Sequence, residues 1–313
     1  MSMRIVRPTA YGGPEVLTVA EVPLPEPATG EALIRVKAAG VNPIDWKLYS
    51  GAFHDIDDEH TDAAGVDAAA LPQLGLECAG IDTTTGDEVI VYPVTAAYAD
   101  YVVAPKSSLI PKPSSISWAE AGALMLTGLT AAHALHAAGV HEGDTVLIHN
   151  GSGGVGLMAV QLATARGATV VATASERNFD VLRDLGATPV AYGPGLLDRV
   201  RAAAPGGVTA ALDLIGTEEA LDTSLALVTD RDRIASINGG PRRAKEGIKV
   251  LGYGPGEDAG AEFRAAARHD LAAKAGAGHL RVIVAGTFGL DQAAEAHRAG
   301  LTGHTPGKLV LVP

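Results

Sequence analysis

The sequence predicts an α/β protein of two domains, in which a doubly wound parallel sheet is inserted into a strand-rich domain. Three observations carry this. Between Thr145 and Tyr253, short apolar strands alternate with helical stretches, as a buried parallel sheet with helices on both faces requires. Up to about residue 115, short strands are punctuated by turns and prolines instead. From about His279 strand-and-helix material returns, so the first domain resumes after the second. The boundaries read as 1–120 with 259–313, and 121–258.

The elements follow in order. Glu31–Ala39 alternates polar and apolar residues, the mark of a half-buried strand. Asp87–Tyr92 and Tyr98–Ala104 read as further strands, and prolines at 23, 25, 27, 105, 111 and 113 keep this region out of long helices. Ser117 is the expected N-cap of a helix over Trp118–Ala138. Strand Thr145–His149, a glycine loop and helix Val155–Arg166 come next, then strand Thr169–Ala174 and helix Phe179–Leu185. Ala210–Ile215, Arg233–Ile237 and Lys249–Tyr253 add strands. The tail supplies strand Arg281–Val284, helix Asp291–Ala299 and strand Lys308–Val312.

Composition narrows the function. At 47% hydrophobic and 19% charged residues the chain can bury a sizeable core, which argues against disorder. Its formal charge of −12 repels nucleic acid and anionic membrane surfaces, so neither is an expected partner. The single cysteine, Cys78, rules out an intramolecular disulfide and fits a reducing compartment. The N-terminus lacks an apolar signal region, and the apolar stretch Ala121–Ala138 is interrupted by Thr127, Thr130, His133 and His136. A cytoplasmic location is expected.

The strongest motif is Gly151-Ser152-Gly153-Gly154-Val155-Gly156, which follows an apolar strand and opens a helix. That context turns a weak glycine pattern into a dinucleotide site. Gly151 is expected to permit the tight turn, Gly153 close approach of backbone to the diphosphate, and Gly156 close helix–strand packing. The phosphates would then meet unpaired N–H groups at a helix N-terminus. No Gly-Lys-Ser/Thr follows, so a triphosphate loop is excluded. At the tip of the next strand, Ala174 stands where an NAD site usually carries an acidic residue, and Ser175 and Arg177 can donate to a 2′-phosphate. NADPH is the expected cofactor, although Glu176 leaves an NAD ribose open.

With these residues placed, the chain resembles the medium-chain dehydrogenases/reductases, in the zinc-independent quinone oxidoreductase (zeta-crystallin-like) branch. The resemblance runs almost end to end, through Tyr11-Gly12-Gly13-Pro14-Glu15-Val16-Leu17, Gly40-Val41-Asn42-Pro43-Ile44-Asp45, Gly86-Asp87-Glu88-Val89, Leu126-Thr127-Gly128-Leu129-Thr130-Ala131 and Gly307-Lys308-Leu309-Val310-Leu311. It implies a GroES-like β-barrel domain interrupted by a Rossmann domain. Zinc-dependent relatives carry a cysteine ligand where this chain has Asn42 and a histidine where it has Leu76, before Glu77; the four-cysteine structural lobe is missing too. No metal is therefore expected, and Cys78 reads as a small buried hydrophobe. The acidic segment Asp55–Asp62 reads as a solvated loop, and His54, His60, His141 and His149 show no ligand spacing.

The resemblance implies hydride transfer from NADPH to a quinone or an α,β-unsaturated carbonyl, with the protein supplying orientation and polarisation. Asn42 would donate to the substrate carbonyl or the cofactor ribose, Asp45 would order its turn, and Thr127 would lie beside the nicotinamide ribose. Tyr49, Phe53 and Tyr92 are candidate pocket walls, either tyrosine a candidate proton donor beside solvent. Tyr192 is implied on the adenine side, and Ile237 is placed among the cofactor residues. Relatives often carry Arg at Tyr49, and Asn150 replaces a small residue before the glycine loop. Two other readings stay open: an enoyl-thioester reductase of a lipid or polyketide pathway, and an NADPH-binding regulatory protein with vestigial catalysis. A homodimer is expected through the sheet edge at Gly247–Tyr253.

Overall fold

The computed structural model describes residues 1–52, 71–303 and 306–313. The chain opens with β1 (Ser2–Pro8), β2 (Leu17–Pro23), β3 (Glu31–Val41), α1 (Pro43–Tyr49), β4 (Cys78–Asp82), β5 (Glu88–Val91), β6 (Tyr101–Pro105), β7 (Leu109–Pro111) and α2 (Trp118–Gly122). There follow α3 (Met125–Ala137), β8 (Thr145–His149), α4 (Gly154–Ala165), β9 (Thr169–Ala174), α5 (Phe179–Asp184), β10 (Ala187–Ala191), α6 (Leu196–Ala203), β11 (Ala210–Asp213) and α7 (Glu218–Leu227). The last elements are β12 (Ile234–Ser236), α8 (Pro241–Lys245), β13 (Lys249–Val250), α9 (Ala261–Gly276), β14 (Val284–Gly289), α10 (Ala293–Leu301) and β15 (Lys308–Val312).

These elements form two units, Met1–Leu126 with His269–Pro313, and Thr127–Arg268. The first boundary falls at Leu126 because α2 belongs with the strands before it. An added Cβ on Gly122 would lie 2.5 Å from the Ala38 carbonyl oxygen of β3, so a glycine there lets the helix sit directly on the strand. That approach also divides the predicted helix Trp118–Ala138. Ser117 caps α2 as expected, accepting from Glu120 N at 3.2 Å while the Glu120 carboxylate accepts from Ser117 N at 2.7 Å. The helix then breaks at Ala123 and resumes as α3.

In the first unit β1 and β2 form an antiparallel pair, and a larger sheet runs β14-β15-β3-β4-β5-β7 with β6 also on β3. β3 is its spine: Ala32, Ile34 and Val36 point inward, and from Ala38 to Val41 every residue is buried. Its inner face packs with Val91, Tyr98, Leu309 and Leu311 in one apolar cluster. β14 starts at Val284 rather than Arg281; it is only partly buried and its pairing slips between Val284 and Gly286.

The second unit holds a six-stranded sheet in the order β10-β9-β8-β11-β12-β13, parallel at every pairing. Leu147, Val171, Ala211 and Ile234 from its central strands pack with Val200 and Leu221 of α6 and α7. β8 and β9 keep the bounds the sequence predicts. β10 carries Pro189, which a sheet tolerates at the edge where this strand lies. α9 shows little periodic signal, since only Leu271, Ala272 and Ala275 of its residues are buried.

Candidate functional site

The glycine loop leaves β8 through Asn150, which holds the left-handed conformation with φ 57°. Asparagine is among the few L-residues that tolerate this region. Its amide N–H donates to Thr173 Oγ1 at 3.0 Å and its side chain to the Leu214 carbonyl at 3.3 Å. The tight turn is thus made by Asn150, a correction to the role expected of Gly151. Gly151 serves by its missing Cβ, which would stand 2.7 Å from Ala172 Cβ on β9. At Gly156 an added Cβ would meet the Asn150 carbonyl oxygen at 2.1 Å, so this glycine seats α4 on the turn itself. Gly153 caps α4 without a side-chain bond. The first-turn N–H groups of Gly154, Val155 and Gly156 therefore lack a capping oxygen, the condition for anion binding at a helix start. The cradle fits a dinucleotide diphosphate.

Ser152, buried in the loop, accepts a hydrogen bond from Asn178 Nδ2 at 3.0 Å. That bond ties the glycine loop to the segment after β9, where Ser175 is half-buried and Glu176 and Arg177 are exposed. Among the described residues Arg177 has no ion pair. Ile237, half-buried, follows β12 and donates its N–H to the Asp213 carbonyl at 3.1 Å. Tyr192 follows β10 with 60% of its surface exposed, and Thr127 is buried on α3. Loop, Ser175, Arg177, Tyr192 and Ile237 all stand at the carboxyl ends of parallel strands, where ligands of such sheets bind.

Sequence reasoning missed a buried ion pair at that edge. Asp213, fully buried at the end of β11, accepts from Arg243 Nε at 3.0 Å and Nη2 at 2.8 Å. It also accepts from Ser236 Oγ at 3.0 Å and from the N–H groups of Ile215 and Gly216 at 3.2 and 2.8 Å.

In the first unit the turn from β3 into α1 is built on two buried polar groups. Asp45 accepts from Asn42 N at 3.0 Å, from Gly75 N at 3.0 Å and from the Tyr98 hydroxyl at 2.7 Å, so it orders the turn. The Asn42 side chain is completely buried; its amide hydrogens go to the Gly40 carbonyl at 3.1 Å and Glu77 Oε1 at 3.0 Å, and its oxygen accepts from Lys308 Nζ. With both hydrogens committed, Asn42 has none for a substrate carbonyl or a ribose, contrary to the sequence expectation. Tyr49 is corrected likewise. It is 1% exposed, its hydroxyl lies 2.8 Å from His297 Nδ1, and its ring stacks on the imidazole. It is a core residue, not a pocket wall. Tyr92 is half-buried at the end of β5. Phe53 and the acidic segment Asp55–Asp62, with His54 and His60, lie outside the described residues. His149, read as a stray histidine, is buried and hydrogen-bonds Ser224 Oγ at 3.1 Å. Cys78 is fully buried, as expected of a small hydrophobe.

Glu77 and Lys308 complete this cluster. Among the described residues no group of three or more His, Cys, Asp or Glu side chains could hold a metal ion. An amide, one carboxylate and an ammonium do not make a zinc donor set.

Burial sets the titration of these groups. Desolvation pushes Asp45 up to about 6, against the bonds from Tyr98, Gly75 and Asn42 and the charge of Lys308. Desolvation pushes His297 down to about 4, and His149 to about 4 against the pull of Asp213. The Asp45 contribution to stability is full at low pH and lost as pH rises through about 6. The two histidines act oppositely, because stability is lost as pH falls from their ordinary 6.5 through about 4. Two groups outweigh one, so acidification from about pH 6.5 to about 4.5 should lower the urea midpoint. His297→Gln, by removing one titrating group, should flatten that dependence. An unchanged slope in urea titrations at the two pH values would count against this assignment.

Comparison with known proteins agrees with both units. Residues 28–114 match the alcohol dehydrogenase GroES-like domain, and residues 154–252 match the zinc-binding dehydrogenase family. Mouse quinone oxidoreductase is 29% identical over 99% of this chain and 98% of its own. The structure of mycobacterial Rv1454c complexed with NADPH is 30% identical, with a TM-score of 0.80 over 99% of this chain and 100% of that one. CurK enoyl reductase is 25% identical with a TM-score of 0.86, covering 99% of each chain. A barrel-type unit interrupted by a parallel nucleotide-binding sheet, matched from end to end, makes this chain an oxidoreductase that belongs to the quinone oxidoreductase family of medium-chain dehydrogenases/reductases.

Proposed function

We propose that the chain is an NADPH-dependent, zinc-independent reductase that delivers hydride to a quinone or an α,β-unsaturated carbonyl. The observation that carries the reading is the uncapped start of α4 joined through Ser152 and Asn178 to the segment bearing Ser175 and Arg177. Gly151, Ser152, Gly153, Gly154, Val155 and Gly156 take the diphosphate, Ser175 and Arg177 the 2′-phosphate, and Tyr192 the adenine side. Thr127 and Ile237 serve the nicotinamide half. The bound cofactor supplies the hydride, and the chain supplies orientation. With Tyr49 in the core, Tyr92 or solvent delivers the proton that completes reduction.

Arg177→Ala should weaken NADPH binding by about 1.5–3 kcal/mol, the scale of a charge-assisted bond, or roughly 10- to 140-fold, and spare NADH. Equal NADPH affinities before and after, by fluorescence titration, would sink the 2′-phosphate assignment.

The acceptor is tested by stopped-flow NADPH oxidation against quinones, enones and crotonyl-type thioesters, with NADH as control. Preferred turnover of a quinone or enone supports the proposal. Preferred turnover of the thioester favours an enoyl-thioester reductase, the reading that the likeness to CurK enoyl reductase supports. Tight NADPH binding without turnover favours a regulatory protein. A homodimer fits β13, the edge strand of its sheet; monomeric elution at micromolar concentration would overturn it.

A further inference from the structure

Lys308 is the first residue of β15, yet its side chain is only 4% exposed. Its Nζ lies 2.9 Å from the Val41 carbonyl and 3.2 Å from Glu77 Oε1, and it also donates to Asn42 Oδ1. Three N–H donors thus meet three oxygens, one of them the carboxylate that balances the charge. The cage is closed from the other side as well. Glu77, 1% exposed, turns Oε2 to Leu126 N at 2.9 Å in the first turn of α3, and Gly40 admits the carboxylate because a Cβ there would lie 2.4 Å from Oε1. One ammonium therefore joins the end of β3, the start of α1, Glu77 and the first turn of α3.

A buried pair of this kind adds little net stability over an apolar replacement of the same volume. Its value is geometric: an ammonium with all three hydrogens directed admits one arrangement of the oxygens around it. We propose that Lys308 is a positioning residue for the reaction, a tethered cation that holds Glu77, and through Glu77 the first turn of α3 where Thr127 follows Leu126, within an oxygen cage suited to a primary ammonium ion. This rests on the reductase reading for its kinetic consequence, but not for the cage itself.

The test uses the full chain carrying Lys308→Ala, which leaves space for the removed propylammonium fragment. Turnover of the preferred acceptor should fall about 100-fold in kcat, the scale of a misplacement of about 1 Å. NADPH affinity, read at the glycine loop, should change less than about threefold. Added n-propylammonium should raise both turnover and melting temperature of the variant, with no such rise in the parent chain. Tetramethylammonium, which has no N–H donor, and sodium chloride at equal ionic strength should do neither. Undiminished turnover in Lys308→Ala, or equal recovery with propylammonium and tetramethylammonium, overturns the proposal. If the parent chain reduces no acceptor, the reductase reading fails alone, and the cage is judged on the propylammonium-specific rise in melting temperature. If Lys308→Ala does not fold, the uncharged double variant Lys308→Met/Glu77→Gln replaces it. Parent-like turnover there overturns the proposal, and a loss of kcat with NADPH affinity changed less than about threefold supports it.

Discussion

Replacing Arg243 with methionine should lower the unfolding free energy by about 3–5 kcal/mol, because it strands a buried carboxylate. Asp213 is 0% exposed, and the guanidinium supplies two of its five donors and the charge that balances it. The remaining donors, Ser236 Oγ and the N–H groups of Ile215 and Gly216, are neutral. Asp213→Asn should cost a comparable amount by leaving the guanidinium without its balancing charge, with the neutral Asn oxygen, the Thr217 carbonyl at 3.1 Å and a distant Glu218 at 3.8 Å as its partners. The double variant Arg243→Met/Asp213→Asn should recover a large part of the loss, since no buried charge is left unpaired. Urea unfolding of the four proteins measures this, and simple additivity of the two losses would refute it. Because Ile237 N–H rests on the Asp213 carbonyl, the single variants should also weaken dinucleotide binding.

The parts of the molecule legible in the sequence are those whose signal is local. β3 shows its alternation, β8 and β9 are apolar runs between turn residues, and the glycine loop sits between a strand and a helix in unbroken sequence. The polar clusters are different, since they are made across the chain. Lys308 reaches Asn42 and Glu77 over 266 and 231 residues, and Tyr49 meets His297 over 248. No periodicity in Pro43–Tyr49 distinguishes a tyrosine lining a pocket from one stacked in a core. Asn42 was legible as a turn residue but not as one whose hydrogens were already committed. The departure noted at Asn150 had a local cause, the left-handed φ that asparagine tolerates. Glu77 carried a faint signal: one acidic residue in the apolar run Leu74–Gly80 must be paired if that run is buried.

Gly156→Val should cost about 1–3 kcal/mol of stability through overpacking and reduce dinucleotide affinity well beyond that of any other single loop change. The nearest atoms to an added Cβ are the Asn150 carbonyl oxygen at 2.1 Å and Gly151 C and Cα at 2.7 Å. All are backbone, so no rotamer change relieves the contact; the turn or the start of α4 must move. Movement there displaces the N–H groups of Gly154 and Val155, and hydrogen bonds to an anion weaken steeply with misalignment. Gly153→Ala is milder for folding, because its Cβ would meet the Asn150 side-chain amide at 2.7 Å, a group able to rotate aside. It still places a methyl where the diphosphate must approach, so affinity should fall while the melting temperature holds. Gly206→Ala, with open space around its Cβ, should change neither. The three variants together separate two demands on one loop, since Gly156 answers to packing and binding and Gly153 to binding alone. Calorimetry with NADPH beside thermal melts reads both, and parent-like affinity in Gly156→Val would mean that the diphosphate does not rest on this helix.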